Sequence, residues 1–199
     1  MRSRSVRGSP ERPGAIWHPS PNFWPGRAGC GVEGILLHGT AGGDGPGVAA
    51  FLSDPATEAS THFVIGQDGT VFQLVRLRDS AWGNGIPDHP SWSRIAELGS
   101  TNPNRYTVSI EHAKESADNS DPLTAEQLRA SVALVRWLLT ELPRRGLAAD
   151  RLVGHRDAGE LAEIVIGHFQ IDSVNRAHCP GTWDWDAYRR LLRQVRGCP

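Results

Sequence analysis

The segment that most constrains the fold is an apolar run that ends at a histidine. Residues 34–37 are Gly-Ile-Leu-Leu and lead into His38, after which residues 39–45 are rich in glycine. A short apolar run bounded by turn residues is typical of a buried strand. This run therefore predicts a core strand that presents His38 at the rim of the sheet, next to a loop.

Two later stretches also place a metal-binding side chain beside a loop. Residues 152–154 lead into His155, and Cys179 is followed directly by a Pro-Gly pair. Two imidazoles and a thiolate suit zinc better than magnesium or calcium. Three protein ligands leave a fourth position for water, which is the arrangement of a catalytic zinc site. We therefore predict that His38, His155 and Cys179 bind Zn²⁺.

The composition is that of an ordinary globular domain. The 199 residues carry a formal net charge of -1, which gives no electrostatic basis for binding nucleic acid or an anionic membrane. No apolar run reaches the ~20 residues of a membrane span, and residues 1–12 lack the apolar core of a signal peptide. Residues 1–13 predict a disordered arm, so we expect one folded domain over residues 14–199.

Strand and helix patterns alternate along this domain. Strand patterns occupy residues 35–38, 61–65, 70–75, 106–111 and 151–154. Helical patterns occupy residues 47–53, 92–100, 124–142 and 184–195. The Asp68-Gly69 pair predicts a hairpin, and Thr124 with Gln127 predicts a capping box for a helix that stops before Pro143. Alternating strands and helices predict an α/β domain.

Six short motifs follow one another in an order that resembles a known family. In chain order they are LLHGTAG, THFVIGQDGTVFQLV, SAWGNG, VSIEHA, LVGHRD and HCPG. Within residues 34–181 this series resembles the zinc-dependent N-acetylmuramoyl-L-alanine amidases, a family that includes phage amidase lysins and peptidoglycan recognition proteins. Any one motif is weak evidence, whereas six in family order form a specific pattern.

The resemblance implies both a fold and a reaction. The fold is a central mixed β-sheet flanked by helices, in a single domain with a zinc groove at one sheet edge. The reaction is hydrolysis of the amide bond between N-acetylmuramic acid and L-alanine in peptidoglycan. Zinc would lower the pKa of a bound water towards ~7 and polarise the carbonyl. Glu111 matches the glutamate of bacterial and phage members and is the expected general base. A surface salt bridge is the alternative role.

Two positions differ from the family pattern. Many members carry lysine or threonine two residues before the last metal ligand, where this chain has Ala177. We expect His178, rather than Arg176, to supply the missing donor to the carbonyl oxygen. Several phage members place tyrosine before the strand histidine, where this chain has Thr61. The residues expected to bind substrate are Thr40, Thr61 and Trp82.

Several residues keep competing interpretations. Trp82 either stacks on substrate or packs in the fold. His62 lies within a predicted strand and is interpreted as a hydrogen-bonded core histidine, with a metal ligand as the alternative. Cys30 and Cys198 are either free thiols or a disulfide that joins the two ends of the domain.

The segment between His155 and Cys179 is unusually long. Residues 156–178 are more than twice as many as the family usually has there. Their apolar content predicts a short helix, arranged as a flap beside the site. Within this insert, no pattern indicates a role for His168.

These expectations lead to one function with two alternatives. The first is a zinc amidase that cuts peptidoglycan, most simply a phage-type endolysin, made in the cytoplasm and acting on the cell wall after release. A cytosolic amidase that recycles muropeptides is a variant in the same class. The alternative from another class is a module that binds peptidoglycan without cutting it. Non-catalytic relatives usually lose the cysteine ligand, whereas Cys179 is present. We expect a monomer whose partner is peptidoglycan.

Overall fold

A central mixed sheet organises the residues that the computed structural model describes, which are 8–153 and 158–194. The strands are β1 (Ile16–Trp17), β2 (Phe23–Trp24), β3 (Gly34–Gly39), β4 (Phe63–Ile65), β5 (Val71–Gln73), β6 (Ser80–Ala81), β7 (Thr107–His112) and β8 (Val165–Gly167). The helices are α1 (Gly45–Ser53), α2 (Ser93–Leu98), α3 (Ala125–Arg144), α4 (Ala158–Ile164) and α5 (Trp185–Arg193). Short 3-10 turns cover Pro55–Thr57, Pro103–Arg105, Asp150–Leu152 and His168–Gln170. In these described ranges, no helix combines the length and apolarity that a bilayer span requires.

The strand order across the main sheet is β1-β5-β4-β7-β3-β8. Strand β3 pairs in parallel with β7 and β8, whereas β4 and β5 form the antiparallel hairpin expected around Asp68-Gly69. The register places His38 opposite Glu111. The pair Leu37 and Gly167 places His168 one residue beyond the end of β8, beside His38. The predicted α/β domain with a mixed sheet and flanking helices is confirmed.

Strand β3 is buried on both faces, as is usual for a parallel strand covered by helices. Ile35 and Leu37 are 0% exposed and pack in the cluster that contains Val135 and Leu138 of α3. Leu36 points to the other face, where Trp92 packs in the same cluster. This continuous burial explains why the run is apolar at every position and why the strand is fixed in its register.

Helix α3 begins as predicted and ends later than predicted. The Thr124 hydroxyl accepts a hydrogen bond from Gln127 N at 3.0 Å. The Gln127 side chain donates hydrogen bonds to the main-chain oxygens of Ile65 and Ala113. It therefore links the helix to the sheet and does not bond back to Thr124, as a capping box would require. The predicted stop before Pro143 is wrong, because bonds beyond the proline, from Arg145 N to the oxygen of Glu141 and from Gly146 N to Pro143, extend the helix to Arg144.

The long segment before Cys179 completes the sheet. The strand predicted over residues 151–154 is wrong, since Asp150–Leu152 is a 3-10 turn, and residues 154–157 lie outside the described ranges. The helix predicted in the insert is present as α4, but it runs directly into β8, whose three residues are buried. The described part of the insert is therefore sheet and helix rather than a flap, because its apolar residues fill the open side of β3.

The N-terminal arm is attached to the sheet. Strand β1 pairs with β5, and β2 pairs with β6. Glu11 accepts hydrogen bonds from the Gln73 side chain and from Leu77 N. Contacts of the folded domain thus begin before residue 14, and the predicted disorder of residues 1–7 lies outside the described residues.

Candidate metal and catalytic centre

The carboxyl ends of β3, β7 and β8 bring three functional side chains to one edge of the sheet. His38 is the fifth residue of β3, Glu111 the fifth residue of β7, and His168 follows β8. Because parallel strands point the same way, their ends open into a common crevice. His38 is 3% exposed and His168 is 5% exposed, so both imidazoles lie below the surface.

Three ligand atoms meet in this crevice. His38 Nδ1 lies 3.1 Å from His168 Nδ1 and 3.9 Å from Cys179 Sγ. The three atoms all lie within 4.8 Å of one another. Cys179 is held there by its own turn, since its N–H donates to Arg176 O at 2.9 Å and its oxygen accepts from Phe169 N at 3.0 Å.

The protonation of the histidines fits a bound cation. Burial lowers the pKa of His38 well below its ordinary value and also lowers the pKa of His168, so both rings are neutral. His168 Nε2 lies 3.0 Å from Asn84 O, which can only accept, so the proton is on Nε2 and Nδ1 is a free lone pair. His38 Nε2 is buried without a partner among the described residues. Two imidazole nitrogens and one sulfur fit zinc in number and chemistry.

The pKa values of the Cys179 thiol and the Glu111 carboxyl group are both raised. Burial raises the pKa of Cys179 to about 12, and the Glu111 charge adds to the effect. A thiol of this kind is not a nucleophile at neutral pH, whereas a cation beside it would stabilise the thiolate. Burial raises the pKa of Glu111 to about 8, and the positive charge of Arg176 opposes this shift.

A cavity of about 680 Å³ opens over these groups. One wall is apolar and comes from α1, with Val48, Phe51 and Leu52. Its polar lining includes Asn119 and Arg176. The volume lies within the range of small-molecule and cofactor sites. The cavity therefore offers both apolar and polar contacts to a ligand.

The structure brings together most of the predicted site residues. His38, Cys179, Glu111, Thr40 and His178 all line the cavity. His155 lies outside the described residues, so its assignment as a ligand stays a prediction. Cys198 also lies outside them, which leaves the proposed pairing with Cys30 untested.

His168 is the site residue that the sequence analysis left without a role. The sequence does contain a pattern that could have identified it. The apolar run 164–167 leads into His168 in the same way that residues 34–37 lead into His38. Residues 169–178 then separate it from Cys179, a much shorter spacing than the one from His155.

Thr61, Trp82 and His62 lie elsewhere. Thr61 is 1% exposed and its hydroxyl donates to Ser109 O, so it is not placed against a ligand in the cavity. Trp82 does not line the cavity and packs against Trp24, with ring centroids 5.7 Å apart. His62 accepts a hydrogen bond from Ser109 N, which confirms the prediction of a hydrogen-bonded core histidine.

An arginine and a histidine side chain flank the cavity. Arg176 is the one Lys or Arg residue that lines it within the described ranges, and its charge acts on Glu111, Cys179 and both imidazoles. The His178 side chain is exposed at the rim, and its main-chain oxygen accepts from Asn119 Nδ2 at 3.4 Å.

Several solved structures have a fold similar to that of this chain. A selenomethionine derivative of AmpD matches with a TM-score of 0.68 and 21% identity, covering 94% of this chain and 99% of AmpD. The endolysin LysCS from Clostridium intestinale URNW matches with a TM-score of 0.55 and 15% identity, covering 93% and 98%. AmiD from E. coli, solved with an anhydro-N-acetylmuramic acid peptide, matches with a TM-score of 0.56 and 19% identity, covering 80% and 57%. At these identities the likeness shows a common fold.

Sequence comparison identifies the family. Comparison with curated protein sequences found no match. The family model described as N-acetylmuramoyl-L-alanine amidase matches residues 28–182, which include every described residue of the candidate centre. Because this match covers most of the chain, the protein belongs to the N-acetylmuramoyl-L-alanine amidase family.

Proposed function

We propose that this amidase depends on zinc and hydrolyses the bond between N-acetylmuramic acid and L-alanine in peptidoglycan. Family membership supports amidase activity on peptidoglycan. The observation that carries the zinc dependence is the convergence of two imidazole nitrogens and a thiol sulfur within 4.8 Å, in a cavity that also holds Glu111. This is the ligand set of a catalytic zinc site, with one position left for water or substrate.

The proposed ligands are His38, His168 and Cys179. His168 takes the role that the sequence pattern suggested for His155, because β8 pairs with β3 and carries His168 to the side of His38. The Cys179 turn is hydrogen-bonded to Phe169, directly after His168, which ties the last two ligands together. All three come from segments held by the sheet or by main-chain bonds.

Glu111 is the proposed general base. When bound, zinc supplies an acidified water and charge relief for the scissile carbonyl. Glu111 accepts the proton of the attacking water and returns it to the leaving amine of L-alanine. Burial raises the pKa of Glu111 to about 8, and the positive charge of a bound zinc would oppose that shift and favour the carboxylate that a base requires.

Arg176 is the proposed donor to the carbonyl oxygen as negative charge develops. Its guanidinium is the cation whose charge reaches all the groups of the centre, which favours it over the His178 expected from the sequence. A positioned donor of this kind typically contributes ~10²–10³ in rate.

The cavity walls support recognition of a glycopeptide. Phe51 is 63% exposed on the apolar wall, beside Leu52, and offers a ring face to a sugar or a peptide side chain. The polar part of the lining includes Asn119, whose side-chain amide can hydrogen-bond to peptide groups. The substrate contacts are therefore proposed for these walls, with Thr40 at the end of β3.

The biological setting we propose first is that of a phage-type endolysin acting on the cell wall. The solved structures of similar fold include an endolysin and AmiD bound to a muropeptide. A muropeptide-recycling amidase is the alternative, and the two differ in substrate. An endolysin cleaves intact sacculi, whereas a recycling enzyme prefers soluble anhydro-muropeptides.

One assay tests the proposal. Purified protein is incubated with sacculi or with soluble muropeptide, with and without a chelator, while new L-alanine amino termini and new reducing sugar ends are counted. We expect amino termini that disappear on chelation and return with zinc, without reducing ends. Zinc binding and peptidoglycan binding without any new ends would instead identify a recognition module.

A further inference from the structure

Asn84 is hydrogen-bonded to one histidine of the candidate centre and affects the other. It is 1% exposed, and its main-chain oxygen lies 3.0 Å from His168 Nε2. The Asn84 side chain also opposes, in part, the lowering of the His38 pKa that burial causes.

The orientation of the Asn84 amide follows from its other partner. Asn84 Nδ2 lies 2.6 Å from Thr107 Oγ1, and the Thr107 hydroxyl in turn donates its proton to Pro103 O at 2.8 Å. Because a hydroxyl has one proton, Thr107 Oγ1 can only accept from Asn84. The NH₂ group is thus fixed toward Thr107, and Oδ1 must face the other way as an acceptor.

The unpaired atoms of Asn84 and His38 are complementary. Asn84 Oδ1 and His38 Nε2 are both buried, and neither atom has a hydrogen-bond partner among the described residues. If His38 Nδ1 binds metal, the neutral ring carries its proton on Nε2 and becomes a donor there. The free acceptor on Asn84 then matches the free donor on His38, and both desolvation costs are removed.

We propose that Asn84 is a positioning residue for both metal ligands, its main-chain oxygen holding His168 and its side-chain oxygen holding His38. Both rings are thereby kept with Nε2 protonated and with Nδ1 directed to the metal. This inference rests on the proposed zinc function. Groups that orient ligating histidines in this way typically contribute ~10–100-fold to metal affinity.

The main-chain half of the contact has its own anchor. Asn104 Oδ1 accepts hydrogen bonds from Gly83 N at 3.2 Å and from Asn84 N at 3.0 Å. A substitution of the Asn84 side chain therefore leaves the loop and its carbonyl held in place. It removes the contact to His38 while keeping the contact to His168.

The test is the zinc affinity of the purified protein, measured by competition with a chromophoric chelator. Asn84→Ala should bind zinc ~10–100-fold more weakly than wild type. The matched control is Asn22→Ala, which also removes a buried amide with two hydrogen bonds but lies away from the centre. That control should lose stability without any change in zinc affinity.

A second pair of variants keeps the test decisive if Asn84→Ala does not fold. Thr107→Val removes the hydroxyl that orients the amide and should also weaken zinc binding, whereas Thr107→Ser should restore it. Nitrogen-15 NMR of the zinc-loaded wild type should give the His38 signals of a ring protonated at Nε2. Wild-type zinc affinity in folded Asn84→Ala and Thr107→Val would overturn the inference. A wild-type protein that binds no zinc would refute the proposed function, and this inference with it.

Discussion

His62 is a buried neutral histidine, and its protonation should be coupled to unfolding. It is 1% exposed, its Nδ1 accepts from Ser109 N at 3.1 Å, and its Nε2 donates to Asp79 O at 3.1 Å. The Arg27 guanidinium lies 3.0 Å from the same Nε2. Burial lowers its pKa from 6.5 to about 3, and the Arg27 charge adds to this shift. A proton could enter only at Nδ1, where it would break the bond to Ser109.

The sign and size of the effect follow from these two pKa values. Between pH 6.5 and 3 the unfolded chain binds a proton at this site and the native protein does not, so stability falls as the pH falls. From pH 6 to pH 4, a shift from 6.5 to about 3 corresponds to a loss of about 2–3 kcal/mol in the free energy of unfolding. Below pH 3 both states bind the proton and the loss stops growing.

The assay compares wild type with His62→Asn, which keeps an acceptor for Ser109 N–H but cannot be protonated. Urea unfolding is measured from pH 4 to pH 7 with a chelator present throughout, so that metal release does not contribute. The stability advantage of wild type over the variant should shrink by about 2–3 kcal/mol between pH 6 and pH 4. His89→Asn serves as the control, because that side chain is 82% exposed. A wild-type advantage that stays constant with pH would refute the burial argument.

Three further predictions concern the centre itself. Glu111→Gln should reduce kcat by ~10²–10⁴ while leaving bound zinc unchanged, which metal analysis and turnover would check together. Cys179→Ser should weaken zinc binding by more than the ~10–100-fold of an outer-shell change, and an unchanged affinity in chelator competition would remove Cys179 from the ligand set. Arg176→Ala should slow turnover by ~10²–10³ with little effect from His178→Ala, and the reverse order would restore His178 as the donor.

The sheet was predictable where local pattern and tertiary environment agree. Residues 34–37 are apolar at each position because β3 is buried on both faces, and that continuity is visible in the sequence. Thr124 likewise marks the start of α3, since capping depends on neighbours in the chain. The end of α3 is set by main-chain hydrogen bonds from Arg145 N and Gly146 N, which lie beyond Pro143. Residue preferences for helix carry no information about these bonds.

The candidate site was predictable in part for a related reason. His38, Glu111 and Cys179 each lie within a recognisable motif, whereas two histidines, His155 and His168, compete for the remaining ligand position and both follow apolar runs. The choice between them depends on which run pairs with β3, and pairing is a long-range property. The hydrogen bonds of β8 to β3 bring His168 to His38, a contact between residues 130 positions apart.

The wide separation of the ligands in the chain has a consequence for synthesis. His38 is made early, but Cys179 follows it by 141 residues, the difference between their positions. At ~5–20 residues per second, roughly 7–28 s pass between translation of the first ligand and the last. Throughout that interval the nascent chain lacks the cysteine turn, and until residue 165 is made it also lacks β8, so it cannot assemble the centre. Competence to cut peptidoglycan therefore arises only after Cys179 has been translated.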